Sequence, residues 1–166
     1  SELEIKQPKI TTSFSQALLN PENYNLAEFL SLEACKIVED TIKKCRQKKF
    51  SQVSSVSLFY SSIMVSKDIQ ILIFRLGIDI EKLKTDLKNY LEKQSRQQKF
   101  NLIFSESFQE TIVQACKAAS QRGYEVVGEK DILVALAKHD EFFKKTLVEY
   151  ELKEQDVENI TLWLGD

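Results

Sequence analysis

The chain is short of glycine, proline, histidine and paired cysteine, and each shortage removes a class of function. Four glycines and two prolines in 166 residues are too few for the many turns of a β-sandwich or barrel, so helices are expected. The glycines stand at 77, 123, 128 and 165, too far apart for GxGxxG or for GxxxxGK followed by Ser or Thr, so no familiar phosphate-cradling loop is present. His139 is the single histidine, and Cys35, Cys45 and Cys116 are odd in number with no CxxC pair. A zinc site has too few ligands, and neither metal nor cofactor is expected. Unpaired cysteine points to a reducing compartment, and a cytoplasmic location is the expectation. No apolar run reaches 18 residues; the richest stretch, Val53 to Val65, is short and broken by serines, so no membrane span is expected. The formal charge is −2 and there is no basic tail, which argues against nucleic acid as a partner. The basic run Lys43-Lys44-Cys45-Arg46-Gln47-Lys48-Lys49 falls at the end of a predicted helix, where cations suit the macrodipole.

What is present is enough for a core: 43% of residues are hydrophobic and 29% charged, near the globular norm. Residues 1–24 hold both prolines and little periodicity, and read as a leader or linker in which Phe14, Leu18 and Leu19 could form one docked turn. From Asn25 the pattern turns helical. Asn25 and Glu28 form a capping-box-like start for a long helix through Phe29, Ile37, Val38, Ile42 and Cys45. Ser54-Ser55 cap a second helix carrying Leu58, Phe59, Ile63 and Met64. Asp68 opens a third, closed by Gly77, and Asp79 caps a fourth with Leu83, Leu87 and Leu91. After a polar connector at 94–99, Ser105 starts a helix that Gly123 closes, and three more follow from Glu129, near Phe142 and through Val157. The two halves superpose without a gap at a shift of 74 residues: Val38 meets Ile112, Phe50 meets Tyr124, Val53 meets Val127 and Ile73 meets Leu147. The fold class expected is therefore all-α, two pseudo-symmetric four-helix repeats in one compact bundle. Repeat 1 is placed at about 25–93 and repeat 2 at about 100–164, within a domain spanning 25–166.

Particular residues carry a family resemblance. Phe104-Ser105, then Ala115 and Ala118-Ala119, then Gly123-Tyr124-Glu125-Val126-Val127-Gly128, then Asp131-Ile132-Leu133-Val134-Ala135-Leu136 resembles the repeat of the Clp N-terminal domain. The first repeat keeps Leu30-Ser31, Val53, Leu58 and Arg75-Leu76-Gly77-Ile78-Asp79. The resemblance implies a non-catalytic module that recruits substrates or adaptors to a Clp-type AAA+ unfoldase. Its partners would be unfolded or tagged proteins and adaptor proteins, and its parent chain a hexamer working with a Clp-type peptidase. The excised domain would be a monomer. Trp163 lies where such domains hand over to the ATPase body. A start at Ser1 and a stop at Gly165-Asp166 fit a piece of a longer chain, with a membrane anchor upstream as one option for the leader.

The resemblance also carries site residues, with departures. In ClpC-type domains a glutamate before the histidine of each repeat binds the guanidinium of phosphorylated arginine. Those glutamates match Val56 and Lys130, and the histidines match Ser57 and Asp131. Valine cannot pair with a guanidinium and lysine repels it, so the phosphoarginine chemistry is not retained in that form. Glu129 and Asp131, flanking Lys130, could replace it only with a shifted geometry. A groove phenylalanine is kept as Phe104, and a basic position five residues on is Gln109. Tyr60 stands where relatives have aliphatic leucines, and a peptide groove containing Tyr60 and Phe104 is the sharper expectation; Phe59 beside it has the spacing of a core residue. Cys35 and Cys116 fall on apolar faces, whereas Cys45, inside the basic run, is expected nearer solvent. Two other classes remain open from the residues alone: a free-standing helical interaction module, and a small hydrolase using the Lys138-His139-Asp140-Glu141 cluster.

Overall fold

Helix starts are set by serine and aspartate side chains, as the sequence indicates, but the first helix starts later than its periodicity suggests. The computed structural model describes residues 25–164, with the backbone alone for 163 and 164. The leader with Pro8, Phe14, Leu18, Leu19 and Pro21, the side chain of Trp163, and Gly165 lie outside the described residues. Asn25 accepts a hydrogen bond from the Ala27 N–H (3.1 Å), but it caps only a 3-10 turn, Leu26–Phe29. The chain is then extended at Leu30 (φ −83°, ψ 140°), and Ser31 caps the true first helix, α1, Leu32–Lys48. Periodicity runs through the break because Phe29 and Leu30 are both buried, though not as helix.

Three helices complete the first repeat: α2, Ser55–Val65; α3, Lys67–Arg75; and α4, Ile80–Glu92. Ser54 caps α2 and Asp79 caps α4. The cap of α3 is Ser66 rather than Asp68, because Ser66 Oγ accepts from the Ile69 N–H at 3.1 Å; Asp68 sits in the first turn, where a negative charge suits the macrodipole. One residue separates α2 from α3, and the axis turns by 99° there. The second repeat follows as α5, Glu106–Gln121; α6, Glu129–His139; α7, Glu141–Glu149; and α8, Glu154–Leu164. No single described helix is long and apolar enough to cross a membrane.

The internal repeat is present in the backbone. Helix starts pair as Leu32 with Glu106, Ser55 with Glu129, Lys67 with Glu141 and Ile80 with Glu154, a constant shift of 74. Left-handed positions pair at the same shift: Lys49 (φ 57°) with Gly123 (φ 81°), and Gly77 (φ 82°) with Glu151 (φ 57°). The glycines avoid the side-chain clash that the lysine and glutamate tolerate there.

The halves exchange backbone hydrogen bonds reciprocally. The Ser31 N–H donates to the Val127 carbonyl (2.8 Å) and the Val127 N–H to the Phe29 carbonyl (2.7 Å). In the mirrored set, the Ser105 N–H donates to Val53 (3.0 Å) and the Val53 N–H to Ile103 (2.7 Å). Each extended segment before a first helix thus pairs with the loop before the other repeat's second helix. Side chains repeat the exchange with donor and acceptor swapped: Ser55 Oγ donates to Asp140 (2.7 Å), and Ser66 Oγ donates to Glu129.

The second helices form the centre. Leu58, Phe59 and Ile63 of α2 and every residue of α6 from Asp131 to Ala137 are buried. Phe59 has no exposed surface and stacks on Phe143 of the other repeat, with ring centroids 4.3 Å apart. Cys45 corrects the reading from the basic run: like Cys35 and Cys116 it is buried, because it continues the Thr41–Ile42 face of α1 while Lys43, Arg46 and Lys48 point outward. Burial raises the pKa of all three thiols, that of Cys116 to about 12.

Phe59→Ala removes a ring that bridges both repeats. It should lower unfolding free energy by about 3–5 kcal/mol in urea titration; a loss under about 1 kcal/mol would show that the centre relaxes around the gap.

Candidate functional site

The predicted site residues fall into three places. Tyr60 projects from α2 into a cavity of about 230 Å3 between α1, α2 and α4. Lys44 and Lys48 of α1, Lys88 and Leu91 of α4, and Ser57 and Ser61 of α2 share its wall. The Lys44 ammonium lies 5.0 Å from the centre of the Tyr60 ring, a cation–π distance. Phe104 is not among the residues lining that cavity. It sits in the extended segment before α5, paired with Val53, and its half-buried ring stacks on Phe108 at 4.8 Å. Gln109 is exposed and its side-chain amide donates to the Phe104 carbonyl at 3.0 Å. Phe104 and Gln109 are therefore neighbours, and Tyr60 lines a separate concavity. Leu102 and Ile103, about two-fifths exposed, extend the apolar strip that leads to Phe104.

The third place is the start of α6. Asp131 is buried; its carboxylate meets the Arg122 guanidinium at 2.5 Å and accepts from the Gly128 N–H at 2.8 Å. Burial pushes its pKa up, and these two contacts pull the other way. Glu129 is half-buried and accepts from Ser66. It borders a second cavity of about 240 Å3 with Glu33, Lys36 and Asp68, and burial, with the neighbouring acids Asp68 and Glu33, raises its pKa against the Ser66 bond. Both carboxylates flanking Lys130 thus serve the fold. Lys130 is half-buried, and its counterpart Val56 is buried in the core.

The acid–base cluster near His139 separates into structural parts. Lys138 pairs with Glu158 at 2.6 Å and Glu141 with Lys144 at 3.5 Å. Asp140 is buried, caps α7 through the Phe143 N–H (2.8 Å) and accepts from Ser55. A cavity of about 540 Å3 nearby is lined by Lys138, Lys144, Leu147, Leu152 and Glu158, with His139 outside it. No group of three or more His, Cys, Asp or Glu among the described residues is placed to hold a metal ion.

Sequence reasoning missed Lys44, Lys88 and Ser61 as companions of Tyr60. The signal was available in the aligned halves, where these residues face Ala118, Leu162 and Ala135.

Asp140 gives a pH signature. Burial holds its carboxyl above the ordinary value of 3.8, outweighing the Ser55 and Phe143 hydrogen bonds. The folded state then binds the proton more tightly than the unfolded chain, so this residue's contribution to stability falls as pH rises above about 3.8. Asp140→Asn keeps one acceptor and removes the titration. Its stability relative to the parent should rise with pH from about 3.8 upward in parallel urea titrations; a pH-independent difference contradicts the assignment.

Comparison with known proteins adds to this geometry. The family model for the Clp repeat (R) N-terminal domain matches residues 30–150. A search of curated proteins returns no match. Among solved structures, the chain is similar to the Hsp104 N-terminal domain from Candida albicans, with TM-score 0.72 and 18% identity over 81% of this chain and 90% of that one. It is similar to the N-terminal domain of the ClpV1 ATPase from E. coli EAEC, with TM-score 0.71 and 18% identity over 92% and 91%. A ClpV N-domain solved in complex with a VipB peptide has the same fold, with TM-score 0.65 and 13% identity over 93% and 89%.

Proposed function

The chain belongs to the Clp repeat N-terminal domain family, and from that premise we propose that it is a non-catalytic recognition domain which brings protein substrates or adaptors to a Clp-type AAA+ unfoldase. The observation that carries the reading is the family match across both repeats, residues 30–150. The ClpV N-domain in complex with a VipB peptide supports peptide binding as a job this fold can do. Local chemistry is in keeping with it: the charged stretch around His139 is spent on caps and surface pairs, whereas half-buried aromatic rings stand at Tyr60 and Phe104. Aromatic residues with partly open surfaces are favoured anchors in protein recognition. The ATP chemistry would belong to the parent unfoldase, with a hexameric ring and a peptidase as its further partners.

The phosphoarginine reading has no support from the positions that would carry it. Val56 is in the core, and Asp131 is committed to Arg122.

Titrating the chain into a fluorescently labelled, permanently unfolded protein and following anisotropy tests the proposal. Binding is expected, and Phe104→Ala and Tyr60→Ala should each weaken it by about five- to thirtyfold, the range of an interface anchor worth ~1–2 kcal/mol. Absence of binding by the parent chain would contradict the recognition role. Unchanged affinity in folded variants would remove these two rings from the binding surface.

A further inference from the structure

The two repeats share a backbone but not the chemistry of one corner. In the second repeat, the C-terminal end of α5 and the first turns of α6 meet through the buried Asp131 carboxylate and Arg122, 2.5 Å apart. The 74-residue shift puts Ser57 at the position of Asp131 and Lys48 at that of Arg122. The cation is kept and the carboxylate is lost. Ser57 and Lys48, the counterparts of Asp131 and Arg122, both border the first repeat's cavity of about 230 Å3, together with Tyr60.

Three further differences point the same way. Lys44, Ser61 and Lys88 of the cavity wall replace Ala118, Ala135 and Leu162 of the other repeat. Packing does not require the Ser61 hydroxyl, because the second repeat buries Ala135 at the same place, whereas Lys88 and Leu162 are both exposed. The Ser61 side chain is fully buried, yet its hydroxyl has no hydrogen-bond partner. A buried hydroxyl left unpaired is unfavourable unless something else meets it. The charges are also out of balance. Lys44 pairs with Asp40 at 2.8 Å and Lys48 with Glu92 at 3.0 Å, whereas Lys88 makes no ion pair with a described residue. Phe50 and Leu91 supply apolar wall beside these cations.

The geometry points to a subsite in the first repeat that takes the side-chain carboxylate of an acidic residue in a bound polypeptide, with an apolar neighbour of that residue against Phe50, Tyr60 and Leu91. The carboxylate stands in for the one that Asp131 supplies internally to the second repeat. Lys88 is its counter-charge, because Lys48 is already held by Glu92 on the same wall, and the Tyr60 and Ser61 hydroxyls are its nearby donors. A charge-assisted contact of this kind orients a chain as well as holding it. This inference rests on the reading of the domain as a protein-recognition module and specifies what one part of its surface prefers.

The test uses two fluorescein-labelled decapeptides, one with a central Leu-Asp-Phe in a Gly/Ser background and its twin with Asn for Asp. Anisotropy at low salt should show the Asp peptide binding about tenfold more tightly, a difference of ~1.4 kcal/mol. Lys88→Gln should reduce that preference to about twofold or less. Ser57→Asp, which rebuilds the internal carboxylate, should abolish it by occupying the subsite. Lys145→Gln, an exposed lysine on α7, should leave it unchanged. Equal binding of the twins, binding of neither, or a preference that survives Lys88→Gln would each overturn the subsite. If Ser57→Asp does not fold, the Lys88 variant decides. Failure here with retained binding of unfolded protein would remove the subsite alone. Loss of unfolded-protein binding in the parent chain would remove the recognition role on which it rests.

Discussion

Two pairs of backbone segments hold this structure to its shape. Before each repeat's first helix the chain is extended at one residue, Leu30 or Phe104, and pairs with the loop before the other repeat's second helix. Buried backbone N–H and C=O groups must find partners, and here neither half supplies its own. Ser31 and Ser105, which cap α1 and α5, each donate an N–H to the other repeat, while Val127 and Val53 donate back. The start of a helix, the register of the two halves and the satisfaction of the centre are therefore one constraint. Ser55–Asp140 and Ser66–Glu129 add a polar layer at the same seam, with both serines on the first repeat and both acids on the second. These are not interchangeable surface contacts: Asp140 is buried, and burial raises the pKa of both carboxyls.

Much of this was legible in the sequence because caps and periodicity are local. Ser54, Asp79 and Ser105 mark helix starts, and Gly77 and Gly123 mark left-handed stops. The repeat at 74 residues could be read from apolar positions alone, since the same helix faces are buried in both copies. What could not be read depends on long-range contacts. Leu30 is extended because Val127, almost a hundred residues later, needs a partner there; nothing within the helix pattern shows that. Lys49 and Glu151 hold left-handed backbones without glycine, so their equivalence to Gly123 and Gly77 emerges only in three dimensions. The lysine neighbours of Cys45 suggest solvent, but its place one turn after Thr41 and Ile42 sends it into the core.

The candidate site was less legible than the fold, for the same physical reason. Glu129 and Asp131 look like free carboxylates in sequence, but each finds its partner through a chain return, Ser66 in one case and Arg122 in the other. Tyr60 and Phe104 stand out in the sequence as aromatics, and the structure gives them different neighbours: lysines around one, Phe108 under the other. A duplicated fold offers an internal control in such cases. Positions that stay apolar in both copies belong to packing, and a position that is polar in one copy and apolar in the other is released from it. Lys44, Ser61 and Lys88 belong to the second group, and they surround Tyr60. The proposed recognition of protein segments would use what the fold leaves open beside Tyr60 in the first repeat.

The reciprocal backbone pairing is the claim on which the rest depends, and amide hydrogen exchange on the native chain measures it most directly. The N–H groups of Ser31, Val53, Ser105 and Val127 should all exchange only through global unfolding, with one shared opening free energy and one denaturant dependence. Exchange of Ser31 and Val127 at a lower free energy than Ser105 and Val53, or of all four by local fraying, would contradict a fold in which each half completes the other.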